Sequence, residues 1–155
     1  MRAPALHRDL SVTNLRVNST GWVPTAGDSA FHRLGGVEPV KALVEEFYDA
    51  MSLHEPALAK LHTCDPAGKV TRVMRDRFAL FLVGWLGGPD DYQAQHGHPR
   101  LRMRHARVPV DDAMRDAWLR SMQRALDARQ VTGDVRGFLD ARFAEVADFL
   151  RNTPS

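Results

Sequence analysis

One cysteine, Cys64, is too few for an internal disulfide and fits a protein kept in the reducing cytoplasm. Long apolar runs are equally scarce. None approaches the roughly 18–20 residues of a membrane span, so a membrane partner is not expected, and residues 1–30 hold no apolar core of a secretory signal. Charge of one sign is also lacking: 21 Lys and Arg against 19 Asp and Glu leave a net +2. That balance gives no compositional ground for a nucleic-acid partner, despite a pI near 9.0. No CxxC pair, HExxH, glycine-rich phosphate loop or GxSxG occurs. Structural zinc, zincin, P-loop and serine-elbow chemistry therefore lack their required residues. Cys64, without a defined base, reads as a buried or idle thiol. No convincing period-two stretch occurs either, which leaves an all-α class without internal repeats.

What is present is helical periodicity behind a polar leader. Residues 1–30 are rich in Ser, Thr, Asn, Gly and Pro and read as a flexible extension, with Trp22 the one residue suited to docking. Residues 31–152 read as one domain, large enough to bury a core. After a short apolar entry at Phe31 to Leu34 and a Gly35-Gly36 break, Glu38-Pro39 opens a helix over 37–52. Its apolar face is Val40, Leu43, Val44, Phe47 and Met51, with Tyr48 at the border. Glu55-Pro56 starts a short turn ending at His62. Asp65-Pro66 reads as cap and first-turn proline of a helix over 66–86, striped by Val70, Met74, Phe78, Phe81, Leu82 and Trp85. Gly87-Gly88-Pro89 ends it. Residues 90–110 read as loop around a short 98–105 piece. Asp111 can cap a helix to Ala128 with Met114, Trp118, Ser121, Met122 and Ala125 inside. Gly133-Asp134 restarts the chain as a last helix, with Val135, Phe138, Leu139, Phe143, Val146, Phe149 and Leu150.

The stretch 96–105, HGHPRLRMRH, holds three of the seven histidines. Arg100, Arg102, Arg104 and Arg107 follow His98 with no acid among them. Pro99 breaks a preceding helix, and the piece after it is too short and too basic to be stable alone. Something outside the peptide must pin it. His96, His98 and His105 could share a surface metal, or could simply be solvated. A haem would use one neutral imidazole on iron, arginines for its propionates and apolar helical walls. Stripes of Phe, Met and Trp meet that last need, but by periodicity alone they read equally as core.

The wording of four motifs decides among these readings. FYDAM at Phe47–Met51, FLVGWLGGP at Phe81–Pro89, GHPRLRMRH at Gly97–His105 and RDAWL at Arg115–Leu119 together resemble the group II truncated haemoglobins of bacteria. The resemblance runs from Phe31 to Leu150, about four-fifths of the chain. It implies a two-over-two helical sandwich around haem b, pairing the helices 37–52 with 66–86 and 111–128 with 134–151. It implies His105 as the iron ligand and Arg104 beside a propionate. Leu101, Met74, Phe78, Phe81, Trp85 and Met122 become cofactor contacts. On the ligand side it implies Tyr48, His62 and Trp118 as polar groups around bound dioxygen. Two positions depart from the family pattern: Met74 stands where globins at large often place a histidine, and Phe78 where leucine is more typical.

The resemblance further implies a protein that binds dioxygen, nitric oxide and carbon monoxide at ferrous iron. Three polar groups favour slow release over simple oxygen transport, and leave open nitric oxide dioxygenase or peroxidase-like redox chemistry. Such turnover needs an electron donor that the sequence does not name. A homodimer is left open as well. A haem-based sensor or interaction module using residues 1–30 is the alternative, and a cofactor-free helical module is the third reading.

Overall fold

A computed structural model describes residues 22–100 and 110–151. Seven helices occur among them: α1 (Ala30–Leu34), α2 (Val37–His54), α3 (Pro56–Ala59), α4 (Arg72–Trp85), α5 (Asp91–His96), α6 (Asp112–Ala128) and α7 (Gly133–Leu150). No named strand forms among the described residues, only the isolated bridges Thr25–Asp28 and Cys64–Val70. The helices α2 and α4 pack together, α6 crosses α2, and α7 packs on α6. Two helix pairs therefore face one another, as expected.

The long helices follow their apolar faces. In α2, Val40, Leu43, Val44, Phe47 and Met51 are buried together with Tyr48, and the helix runs two residues past the expected Ser52. In α6, Asp111 Oδ1 accepts the Met114 amide at 2.9 Å, the anticipated cap, and Ser121, Met122, Ala125 and Leu126 are buried. In α7, Leu139, Phe143 and Ala147 are buried, whereas Phe149 from the expected stripe is 52% exposed.

Three expectations need correction. The segment after Asp65-Pro66 is a turn, and the helix begins only at Arg72. Asp65 Oδ1 accepts the amides of Ala67 at 2.9 Å and Lys69 at 3.0 Å, and the Asp65 amide donates to the Lys69 carbonyl at 2.8 Å. With Gly68 at φ 85°, those bonds turn the chain back. Thr71 Oγ1 then caps α4 by accepting from the Met74 amide at 3.5 Å. Second, residues 91–96, expected as loop, form α5. Its one buried residue, Tyr92, meets the Phe81 ring edge-on at 5.7 Å. A single anchor leaves no period to read. Third, the apolar entry at Phe31 is a helix, α1, opened by a capping box between Ser29 and His32 and closed at Gly35.

The last nine residues of the expected extension, 22–30, are packed. Trp22 is buried against Phe138 of α7 at 5.2 Å between centroids and donates from Nε1 to Asp28 at 3.1 Å. Arg33 covers its other surface at 4.3 Å while pairing with the Asp28 carboxylate at 2.8 and 2.9 Å. Residues 1–21 lie outside the described residues.

The end of α4 is set by a close approach. Gly88 donates to the Val83 carbonyl at 2.8 Å, and the Phe31 amide donates to the Leu86 carbonyl at 2.9 Å. A Cβ on Gly88 would stand 2.7 Å from the Phe31 ring, so the glycine pair lets α1 seat directly on the end of α4.

Candidate functional site

Phe47 sits where three helices meet. Its ring contacts Tyr48 at 4.9 Å, Phe78 of α4 at 5.4 Å and Trp118 of α6 at 5.2 Å. Tyr48 in turn meets Phe78 at 5.8 Å and His62 at 5.7 Å. Tyr48 and Trp118 thus share Phe47 as a common aromatic centre, and His62 joins the cluster through the Tyr48 ring. Phe47 and Tyr48 are successive residues about 100° apart on α2, and both are buried, so the tyrosine expected at the border of the apolar face lies inside the core.

The polar atoms differ in what they can do. Tyr48 is 4% exposed, and burial holds its phenol well above the ordinary value of 10.0, so the hydroxyl keeps its proton. Among the described residues neither the Tyr48 hydroxyl nor the Trp118 indole N–H takes a hydrogen bond. Ser52 Oγ is the one sealed side-chain polar atom without a partner among those residues. Tyr48 and Trp118 are both available to donate. His62 is different: its Nδ1 lies 3.1 Å from the Leu58 carbonyl, which can only accept. That nitrogen carries the proton, so a neutral His62 ring presents a lone pair at Nε2. His62 also lines an open cavity of about 850 Å³ with Ser52, Lys60 and Cys64.

The expected wall along α4 is a separate face of that helix. Arg75, Ala79, Leu82 and Val83 are buried, while Met74, Phe78, Phe81 and Trp85 are half-buried and packed against the core edge. Phe78 stacks on Phe81 at 6.4 Å, and Trp85 stacks on Phe143 at 5.3 Å, which also meets Trp118 at 5.7 Å. The result is an aromatic strip running from Tyr48 to Trp85. Met122, grouped with this wall from sequence, is instead fully enclosed in the core. Leu101, Arg104 and His105 lie outside the described residues. Among the described residues no group of three or more His, Cys, Asp or Glu is arranged to hold a metal ion, and His96 and His98 are exposed.

Arg75 is the residue that the sequence reading missed. It is 5% exposed, and its Nε donates to the Val70 carbonyl at 2.8 Å. Nη1 pairs with Glu45 at 2.8 Å and Asp49 at 3.0 Å, both on α2. Its guanidinium carbon stands 5.8 Å from the Tyr48 ring centre. Arg72 pairs with the same Glu45 carboxylate. The available signal was a charged residue at an apolar-face position, one turn before Ala79 and two before Leu82.

Comparison with known proteins adds a family context. The sequence profile described as bacterial-like globin matches residues 29–152. A group 2 truncated hemoglobin of Bacillus subtilis, YjbI, is 36% identical over 117 residues, spanning 76% of this chain and 84% of that protein. The solved group II truncated hemoglobin from Bacillus anthracis is similar at a TM-score of 0.74 and 33% identity, over 82% of this chain and 98% of that one. A truncated oxygen-avid haemoglobin from Bacillus subtilis is similar at a TM-score of 0.72 and 31% identity, over 80% and 99% of the two chains.

Proposed function

Because this chain belongs to the bacterial-like globin family, and within it to the group II truncated haemoglobins, we propose that it holds haem b on His105 and retains dioxygen in a polar pocket. Proteins of this family bind haem and gaseous ligands. Haem supplies a ferrous iron with a coordination position for a diatomic ligand. The residues present fit such a group. Met74, Phe78, Phe81 and Trp85 offer a half-buried apolar wall, with Tyr48 in ring contact with Phe78 and Trp118 in ring contact with Phe143 beside it. His105 would ligate the iron, Arg104 would meet a propionate through its guanidinium, and Leu101 would add an apolar contact. Met122 would support the wall from within the core.

The observation that carries this reading is a pair of donors without a hydrogen-bond partner among the described residues, the Tyr48 hydroxyl and the Trp118 indole N–H, on rings in edge contact with Phe47. A diatomic ligand that gains partial negative charge is retained by such donors, each worth about 1.5–3 kcal/mol when the acceptor is charged. Two of them slow release by orders of magnitude, which suits retention better than simple transport. The solved Bacillus subtilis relative is described as oxygen-avid, which agrees with this reading. Nitric oxide and carbon monoxide are taken in the same pocket. Dioxygenation of nitric oxide or reduction of peroxide would draw electrons from a partner protein.

Absorption spectra of the reduced, oxygenated and carbon-monoxide-bound protein, beside His105→Ala, test the reading. The wild type should show a Soret band that shifts with each ligand, and His105→Ala should lose stable haem. Normal haem retention in the variant would refute the ligand assignment.

A further inference from the structure

From the geometry around Arg75 we infer that this residue is the positioning group for Tyr48, and that its charge sets the donor strength of the Tyr48 hydroxyl toward a bound ligand. The inference rests on the proposed role of Tyr48 as a ligand donor.

Three features support it. First, Arg75 is a fixed cation. Its side chain is 6% exposed and is held at one end by the Val70 carbonyl and at the other by Glu45 and Asp49. A planar guanidinium with several partners loses little further freedom and keeps one orientation. Second, those partners bracket Tyr48 on α2. Glu45 and Asp49 are four residues apart, with Tyr48 between them, so the clamp ties α4 to the very turn that carries the phenol. A shift of Arg75 therefore moves the ring. Third, the guanidinium carbon lies 5.8 Å from the Tyr48 ring centre, inside the roughly 6 Å reach of a cation–π contact. A cation held over the ring withdraws electron density from the phenol, which makes its O–H a stronger donor. Burial raises the Tyr48 proton affinity and the Arg75 charge opposes that, in agreement with this direction.

Arg72 shares Glu45 but is 63% exposed and shows no contact with the Tyr48 ring, so it serves the clamp from outside. The two arginines thus separate experimentally. Arg75→Met keeps length and apolar volume while removing the charge, Arg75→Lys restores a charge, and Arg72→Met controls for loss of a Glu45 partner.

Each variant is made in the wild-type chain and in Tyr48→Phe, and oxygen and carbon monoxide dissociation are timed. Arg75→Met should speed oxygen release about five- to tenfold, the worth of weakening one hydrogen bond to a charged acceptor. Carbon monoxide, which gains little negative charge, should leave within about twofold of the wild-type rate on the same scale. Arg75→Lys should recover part of the loss, and Arg72→Met should stay near wild type. In the Tyr48→Phe background Arg75→Met should add nothing. The C–O stretching frequency of the carbon monoxide complex should rise in Arg75→Met only when Tyr48 is present. The chain has two tyrosines, Tyr48 and Tyr92, so carbon-13 labelling at the phenol carbon gives two signals, assigned with Tyr92→Phe. The Tyr48 signal should move in Arg75→Met and the Tyr92 signal should not.

An oxygen rate unchanged by Arg75→Met, or an equal acceleration in Tyr48→Phe, overturns the inference. So does a parallel change in both ligands with a lowered melting temperature, which marks a purely structural role. If Tyr48→Phe itself leaves oxygen release unchanged, the donor role of Tyr48 has failed. The phenol-carbon signal then decides for Arg75 alone, and an unmoved resonance overturns it.

Discussion

The His62 ring donates from Nδ1 to the Leu58 carbonyl at 3.1 Å, which commits its proton to the backbone of the preceding turn. The ring faces Tyr48 at 5.7 Å, and whenever it is neutral the Leu58 bond leaves it no second N–H to offer a ligand. The polar set expected from sequence thus divides into two donors and one acceptor.

That division predicts unequal mutational effects. Trp118→Phe should speed oxygen dissociation about tenfold, equivalent to about 1.4 kcal/mol for one lost donor. His62→Phe should change it less than about threefold, because no donor is removed. Stopped-flow displacement of oxygen by carbon monoxide measures both. A His62 effect as large as that of Trp118 would contradict the tautomer read from the Leu58 contact.

Phe78 touches Tyr48 at 5.8 Å, Phe47 at 5.4 Å and Phe81 at 6.4 Å, so it fills the middle of the aromatic strip. Phe78→Leu removes ring volume there and should widen the pocket. Carbon monoxide association after flash photolysis should quicken several-fold, at a stability cost of about 1–2 kcal/mol from the incompletely filled space. Association no faster than wild type would show that Phe78 does not limit access.

Gly88 lies where a Cβ would stand 2.7 Å from the Phe31 ring. Gly88→Ala should lower stability by about 1–3 kcal/mol, the usual cost of overpacking a close contact. Removing the ring in Phe31→Ala should make the second change nearly silent. Urea unfolding of the four variants gives the coupling, and strict additivity would refute the contact.

Glu45 is held below its ordinary value near 4.5 by its bond to Arg72, opposed by burial and helped further by Arg75. A carboxyl depressed in the folded state adds stability above its unfolded value and loses it as pH falls through the folded value. The advantage of wild type over Glu45→Gln should therefore be full above about pH 4.5 and shrink below it. Its size should be on the order of 1 kcal/mol or less, since the Glu45 side chain is 36% exposed and screened by solvent. A difference that grows on acidification would reverse the assignment.

Much of the scaffold was legible because its causes are local. The face of α2, the Asp111 cap and the restart at Gly133 depend on neighbours three or four residues away. Local reasoning failed where two local signals competed. Asp65-Pro66 carries the marks of a helix start, but the same carboxylate bonds Ala67 and Lys69, and Gly68 turns the chain. It failed again at α5, where one buried tyrosine leaves no pattern.

The sequence by itself determined the helical class, the family wording of its four motifs and the identity of Tyr48 and Trp118 as candidate donors. Only the tertiary structure decided what those residues meet. Trp118 reaches Phe47 on Tyr48's helix across 71 residues of chain, and Arg75 reaches Glu45 across 30. Spacing along a chain fixes a residue's face on its own helix but carries no distance to another. The charge on Tyr48's far side and the proton on His62 were therefore set by packing, through a buried arginine and a backbone carbonyl that no motif contains.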